Sequence, residues 1–191
     1  MEQVDEVLTY DQVTLRRWRV ADLDVLDRLI SDSLEHLRPW MPWAAAHSRE
    51  SVLDYLTRAQ ESWEAGDAYN YAITADGGTV VGSTSMMRRI GPGGLEIGYW
   101  IHPGWTGRGL VTMAAAALTA EALRLPDTTH VEIHHDEANR ASGAVPGRLG
   151  YTVVSRTVDS ERQAPGDSGV TVVQRIDRTA ARASEAAGAP S

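Results

Sequence analysis

The stretch Leu95-Glu-Ile-Gly-Tyr-Trp-Ile101, followed by His102-Pro-Gly-Trp-Thr-Gly-Arg-Gly-Leu-Val-Thr112, decides how this chain is read. Leu95, Ile97, Tyr99 and Ile101 alternate with other residues, the pattern of a β-strand. Gly104, Gly107 and Gly109 then interrupt the chain before an Ala-rich helical run expected over about 107–123. Glycines at a strand-to-helix turn let backbone N–H groups converge on a small anion, and the helix dipole adds positive potential there. Arg108 supplies a charge-assisted donor at the same point. The chemistry suggested is pyrophosphate binding, although a Gly-x-Gly turn alone serves equally as a structural turn. A Walker loop is excluded, because it needs a Lys after its second glycine and the chain has no Lys. A dinucleotide fingerprint is excluded too: Thr112 stands where a third small residue is needed, and the strand is not the first of its domain.

Upstream, residues 13–19 alternate as a first strand, and Asp22 is placed to cap a helix carrying Leu23, Leu26, Leu29 and Ile30 on one face. A second helical stretch covers 31–37. Pro39 and Pro42 then hold Trp40, Met41 and Trp43 in a non-helical segment. Ser48 with Ser51 opens a helix whose Val52, Leu53, Leu56, Ala59 and Trp63 stay in phase until Gly66. Residues 69–74 alternate, Asp76-Gly-Gly78 marks a hairpin, and 80–87 supply the returning strand. After Ile101 the order becomes helix, strand (129–134), helix (139–149) and two strands (151–157 and 170–176). The expected fold is therefore one α/β domain over 13–177, a mixed central sheet of about seven strands with helices on both faces. Residues 1–12 are expected to be an N-terminal extension. Residues 178–191, rich in Ala, Ser, Gly and Pro, read as a flexible tail.

Composition removes several function classes. The 191 residues include 18 basic side chains, all Arg, and 26 acidic ones, for a net charge of −8. That balance argues against a general nucleic-acid binder and suits a cationic partner. Cys is absent, so there is no thiolate nucleophile, disulfide framework or Cys-ligated metal. No apolar run approaches the roughly 18–20 residues that cross a bilayer, and residues 1–6 lack the basic and apolar regions of a signal peptide. A cytoplasmic protein, without membrane or nucleic-acid partners, is the expectation.

The segments Glu96-Ile-Gly-Tyr-Trp-Ile-His-Pro103 and Thr106-Gly-Arg-Gly-Leu-Val-Thr112 together resemble the acetyl-CoA-binding core of the GNAT superfamily of N-acyltransferases. Asn139-Arg-Ala-Ser142, Val145 and Leu149-Gly-Tyr151 are similar to the helix and turn that follow in that family, and Leu37-Arg-Pro-Trp-Met-Pro-Trp43 resembles its RimJ/RimL-like branch. The sequence departs from the family pattern at Thr106, where Arg or Gln is usual, and at Val111, where a small residue is usual. The resemblance implies two parallel strands that splay apart and hold the thioester, with acetyl-CoA as co-substrate and no metal. It places Ile101, His102, Thr106, Gly107, Arg108, Gly109, Leu110, Val111, Thr112, Asn139 and Ser142 on the cofactor, with backbone N–H groups near Ile101 and His102 receiving the thioester oxygen.

The same resemblance implies direct attack by a primary amine, on a protein N-terminus or a small molecule. An alkylammonium (pKa about 10) must first lose a proton. Glu96, on the strand leading to the thioester, is the first candidate base; as an outward Glu on an alternating strand it could equally be solvated. Ser142 is the expected proton donor to the leaving thiolate, and Asn139 binds pantetheine or simply caps its helix. His134 and His135 must face opposite ways; they read as structural, with His135 a reserve base and no zinc site completed. Trp40, Met41, Trp43 and Glu35 are candidates for the acceptor pocket or for ordinary packing, and the loop 159–168 for its mouth. The depth of the acyl pocket is expected to depend on Met86, Met87 and Ser142. Two other functions stay open: a sensor that holds acyl-CoA without turnover, and an enzyme using a different donor such as succinyl-CoA. A monomer or a homodimer is expected.

Overall fold

The computed structural model describes residues 4–159 and 161–179. Its strands are β1 (Val7–Tyr10), β2 (Val13–Arg17), β3 (Ala68–Ala75), β4 (Thr79–Met87), β5 (Gly94–Ile101), β6 (His130–Asp136), β7 (Thr152–Val158) and β8 (Val170–Asp177). They form one sheet in the order β1-β2-β3-β4-β5-β6-β8-β7. The helices are α1 (Leu23–Ser31), α2 (Leu34–Leu37), α3 (Arg49–Ala65), α4 (Leu110–Arg124) and α5 (Arg140–Arg148). The α/β architecture is as expected, with eight strands where the sequence suggested about seven. The extra strand lies inside the segment taken for an extension: β1 pairs antiparallel with β2, and Val4 is buried in the core. At the other end Arg178 still donates its N–H to Thr129 O, while the expected flexible tail from residue 180 onward lies outside the described residues.

Two apolar cores lie on opposite faces of the sheet. Tyr71 and Ile73 of β3, with Leu95 and Ile97 of β5, pack beneath α4, whereas Ala72 and Trp100 turn to the side of α1 and α3. Because both faces are covered, residues 69–75 of β3 are all buried, and the alternation read there carries no solvent face. Ser48 caps α3 by accepting from Ser51 N–H at 3.1 Å, and Gly66 ends it with φ +79°. Leu53, in phase with the buried residues, faces outward. Asp22 does not cap α1 with its side chain. Its carboxylate is claimed by two bonds from the Arg16 guanidinium at 2.8 and 2.9 Å, a stronger partnership than a cap.

The feature that makes a site is the junction of β5 and β6. These neighbours are parallel, but only Gly94↔His130, Leu95↔Val131 and Glu96↔Glu132 pair. Beyond Glu96 and Glu132 the strands part, which is the expected splayed pair. Parallel strands require a crossover connection, and α4 provides it, so the Gly-rich turn opens beside the gap.

Candidate active site

The turn behaves as its glycines demand. Gly107 and Gly109 adopt φ of +74° and +76°, a conformation costing other residues roughly 1–2 kcal/mol. Gly109 is the N-cap of α4 and brings no capping side chain. The first-turn N–H groups of Leu110, Val111 and Thr112 therefore keep their donors for a ligand. Thr106 does not: its N–H and its hydroxyl both turn back to Pro103 O, at 3.3 and 2.9 Å. Arg108 is exposed, with its guanidinium 4.5 Å over the Trp105 ring and 3.9 Å from Asp76, outside the cleft wall. Stacking on an indole draws it away from the expected phosphate position.

Strand alternation settles which backbone donors face the gap. His102 N–H is bonded to Val81 O at 2.8 Å, so it belongs to the β4 side of the strand. In an antiparallel pair successive residues turn their N–H groups alternately to either side, which directs Tyr99 and Ile101 toward β6, where no strand pairs with them. His102 is thus removed from the expected donor pair, and its ring Nδ1 instead accepts from Gly104 N–H at 3.0 Å.

Two clefts meet at this gap. One, of about 620 Å³, runs from Gly107, Gly109 and Thr112 past Ile101 to Asn139, Ser142 and Arg148. The other, of about 380 Å³, lies between Glu96, His134 and the loop residues Asp159, Gln163 and Asp167. Trp40, Met41, Tyr99, Asn139 and Ser142 line both. At the junction the Tyr99 hydroxyl donates to Ser142 O at 2.9 Å, and Ser142 Oγ stands 3.5 Å from the same phenol oxygen. Burial pushes the Tyr99 pKa up to about 12, so the phenol stays protonated at neutral pH. Asn139 Oδ1 accepts from Ser142 N–H at 3.1 Å and caps α5. Tyr99 is the site residue that sequence reasoning passed over; a phenol in an otherwise aliphatic row was the available signal.

The second cleft is ionic. Glu96 is 5 % exposed, and both its carboxylate oxygens are held by Arg89, one of them at 2.8 Å from Nε. Its parallel neighbour Glu132 is paired with Arg175, at 2.8 Å from Nε, and receives His134 Nε2 at 2.7 Å. Burial pushes the Glu132 carboxyl up, but hydrogen bonds from His134 and Arg175 outweigh it and hold the group below the usual carboxylate range. His134 Nδ1 lies 3.8 Å from Glu96. His135 faces the other way, against α5, with Nε2 at 3.1 Å from Gln174 Nε2 and Nδ1 at 2.9 Å from Asp136 O. With both ring nitrogens occupied it has no lone pair to offer as the reserve base. Gly166 N–H donates to Pro39 O at 2.8 Å, fastening the loop between β7 and β8 to the Trp40 segment over the cleft.

Several expected contributors stand apart. Trp43 lines neither cleft; it packs on Trp100 with centroids 6.1 Å apart. Glu35 is exposed on α2, away from both. Met86 is fully buried, and neither it nor Met87 reaches a cleft wall. Among the described residues no group of three or more His, Cys, Asp or Glu is placed to hold a metal. None of their helices is long and apolar enough to cross a membrane.

Comparison with known proteins agrees with this geometry. The chain is 27 % identical over 149 residues to YdaF of Bacillus subtilis (strain 168), provisionally named a ribosomal N-acetyltransferase, covering 74 % of this chain and 78 % of that one. RimL, a ribosomal L7/L12 α-N-protein acetyltransferase solved with coenzyme A, superposes with a TM-score of 0.83 at 22 % identity, over 92 % of this chain and 99 % of its own. MccE, a microcin C7 self-immunity acetyltransferase solved with acetyl-CoA and AMP, gives 0.79 at 20 % identity, over 87 % and 93 %. The model of the GNAT acetyltransferase domain matches residues 12–152, the span that holds the turn, the splayed strands and Ser142. On that match the chain belongs to the GNAT acetyltransferases and is an acyl-CoA-dependent enzyme of that family.

Proposed function

We propose that the protein transfers an acetyl group from acetyl-CoA to a primary amine, a protein N-terminus or a small-molecule amine, by direct attack without a covalent enzyme intermediate. The observation that carries this proposal is the meeting of two clefts at Tyr99 and Ser142. Coenzyme A in the larger cleft would set its pyrophosphate on the first-turn N–H groups of α4 and run its pantetheine arm past Asn139. The thioester would then reach the junction, while an amine in the smaller cleft approaches from the opposite side.

The N–H groups of Ile101 and Tyr99 face the gap where the developing oxyanion forms, the electrostatic contribution that most lowers such barriers. Ser142 is placed to give the leaving thiolate its proton, with its Oγ 3.5 Å from the phenol oxygen of the neutral Tyr99. RimL's named action on a ribosomal protein supports a protein N-terminus as acceptor. The test is release of free CoA from acetyl-CoA with a panel of N-terminal peptides and small amines. Turnover with at least one acceptor is expected, and none with any acceptor overturns the proposal.

A further inference from the structure

We infer that His134 is the general base of this reaction, held by Glu132 on one nitrogen and flanked by Glu96 on the other. The inference rests on the acyl-transfer function proposed above and supplies the group that deprotonates the acceptor.

The acceptor cleft contains six residues able to take a proton, and five are otherwise engaged. Both oxygens of Glu96 are held by Arg89. Asp136 accepts from Ala138 N–H and from the N–H and hydroxyl of Ser168. Asp167 accepts from the N–H groups of Gln163 and Ala164, and Asp159 from the Thr171 hydroxyl at 2.6 Å. Both nitrogens of His135 are occupied. His134 differs: Nε2 is 2.7 Å from Glu132, which fixes the Nε2–H tautomer and leaves the Nδ1 lone pair on the cleft side.

The charges around the ring suit that task. Glu132 faces Nε2 from β6, and Glu96 faces Nδ1 from β5 at 3.8 Å. Arg175 of β8 and Arg89, itself on the cleft wall, pair with these carboxylates, His130 stands 4.0 Å from Glu132, and Asp136, Asp159 and Asp167 complete the ionisable lining. An imidazolium formed here would lie between the Glu132 and Glu96 carboxylates. Glu96, expected from the sequence to be the base, becomes a flanking anion for the acceptor and the imidazolium.

The proton balance is complete. The ammonium R–NH3⁺ gives one proton to His134 Nδ1, and the free amine attacks the thioester carbonyl, forming the C–N bond. The tetrahedral intermediate collapses with breakage of C–S, and the thiolate takes a proton at Ser142. The amide nitrogen loses its surplus proton, which restores that of Ser142, and His134 returns its proton to solvent. The net change is one amide, one free CoA thiol and one released proton.

Steady-state kinetics across pH, with calorimetric CoA binding on each protein, tests this. His134→Gln should lower kcat by roughly 10²–10⁴-fold with CoA affinity unchanged, and should remove the acid limb of the profile. Glu132→Gln, which keeps the imidazole but removes a facing carboxylate, should move that limb to lower pH; this result decides the matter should His134→Gln fail to fold. A His134→Gln enzyme with the wild-type kcat and acid limb, or an unmoved limb in Glu132→Gln, overturns the inference and leaves the acyl-transfer proposal standing. A wild-type protein inert toward every amine overturns both.

Discussion

Gly143 and His135 meet so closely that no methyl group fits between them: a Cβ on Gly143 would stand 2.5 Å from His135 Cε1. This contact sets the distance of α5 from β6, and α5 carries Asn139 and Ser142. Gln174 Nε2 holds the ring at 3.1 Å from His135 Nε2 and also donates to Gly143 O at 3.0 Å, tying the imidazole to the helix backbone. Overpacking of this kind costs about 1–3 kcal/mol. Gly143→Ala should lower the melting temperature by roughly 2–4 °C per kcal/mol. Because the helix must lift, it should also raise the KM for acetyl-CoA. A variant with unchanged Tm and KM would show that α5 does not depend on this contact.

Glu121 ties the N-terminal segment to α4, since its carboxylate accepts from Asp5 N–H at 3.0 Å and from Arg124 at 2.7 Å. Burial raises its pKa, but the bonds from Arg124 and Asp5 dominate and hold it below the usual value. A carboxyl depressed in the folded state stabilises the protein above its unfolded pKa of about 4.3 and loses that contribution as pH falls through the folded pKa. Glu121→Gln should therefore cost roughly 1–3 kcal/mol at pH 7. Thermal melts of the two proteins should converge as pH drops below about 4. Curves that stay parallel to acid pH would show that the carboxylate charge contributes nothing.

What could be read from the sequence was what local chemistry dictates. Ser48 with Ser51, Gly66, the Asp76 hairpin and the two left-handed glycines each impose one backbone outcome on a few neighbouring residues. What could not be read depends on partners distant in the chain. Alternation shows that His134 and His135 point opposite ways, but choosing between them needs the knowledge that α5 covers the His135 face. The pairing of Glu96 with Glu132, and hence the ionic cluster, follows from a parallel register between strands 36 residues apart. β1 escaped detection because it is a four-residue edge strand, mostly exposed, with no buried row to mark it.

Arg108 illustrates the same limit and gives a direct test. A cation in a phosphate-binding turn is expected on the ligand, yet here it lies on Trp105 and near Asp76, more than half exposed. Such surface interactions are worth about 0–1 kcal/mol. Arg108→Ala should weaken CoA binding by less than about fivefold in calorimetry. Gly109→Val, which forces a branched residue into the left-handed N-cap of α4, should weaken it far more. A large loss in Arg108→Ala would mean that the guanidinium leaves Trp105 when the cofactor binds.

Trp40 and Trp43 are three residues apart and look equivalent in sequence, but they serve different neighbours. Trp40 lines both clefts beside Met41, on a segment fastened to the loop between β7 and β8 through Pro39. Trp43 packs on Trp100 at 6.1 Å and is 43 % exposed. An aromatic pair of this geometry is worth about 0.5–1.5 kcal/mol beyond its buried area. Trp43→Ala should therefore lower Tm by a few degrees and leave both KM values within about twofold. Trp40→Ala removes wall from both clefts at once, so the KM values for acetyl-CoA and for the amine should rise together. If only the amine KM rises, Trp40 belongs to the acceptor cleft alone, and the two clefts are joined by Tyr99 and Ser142 without it.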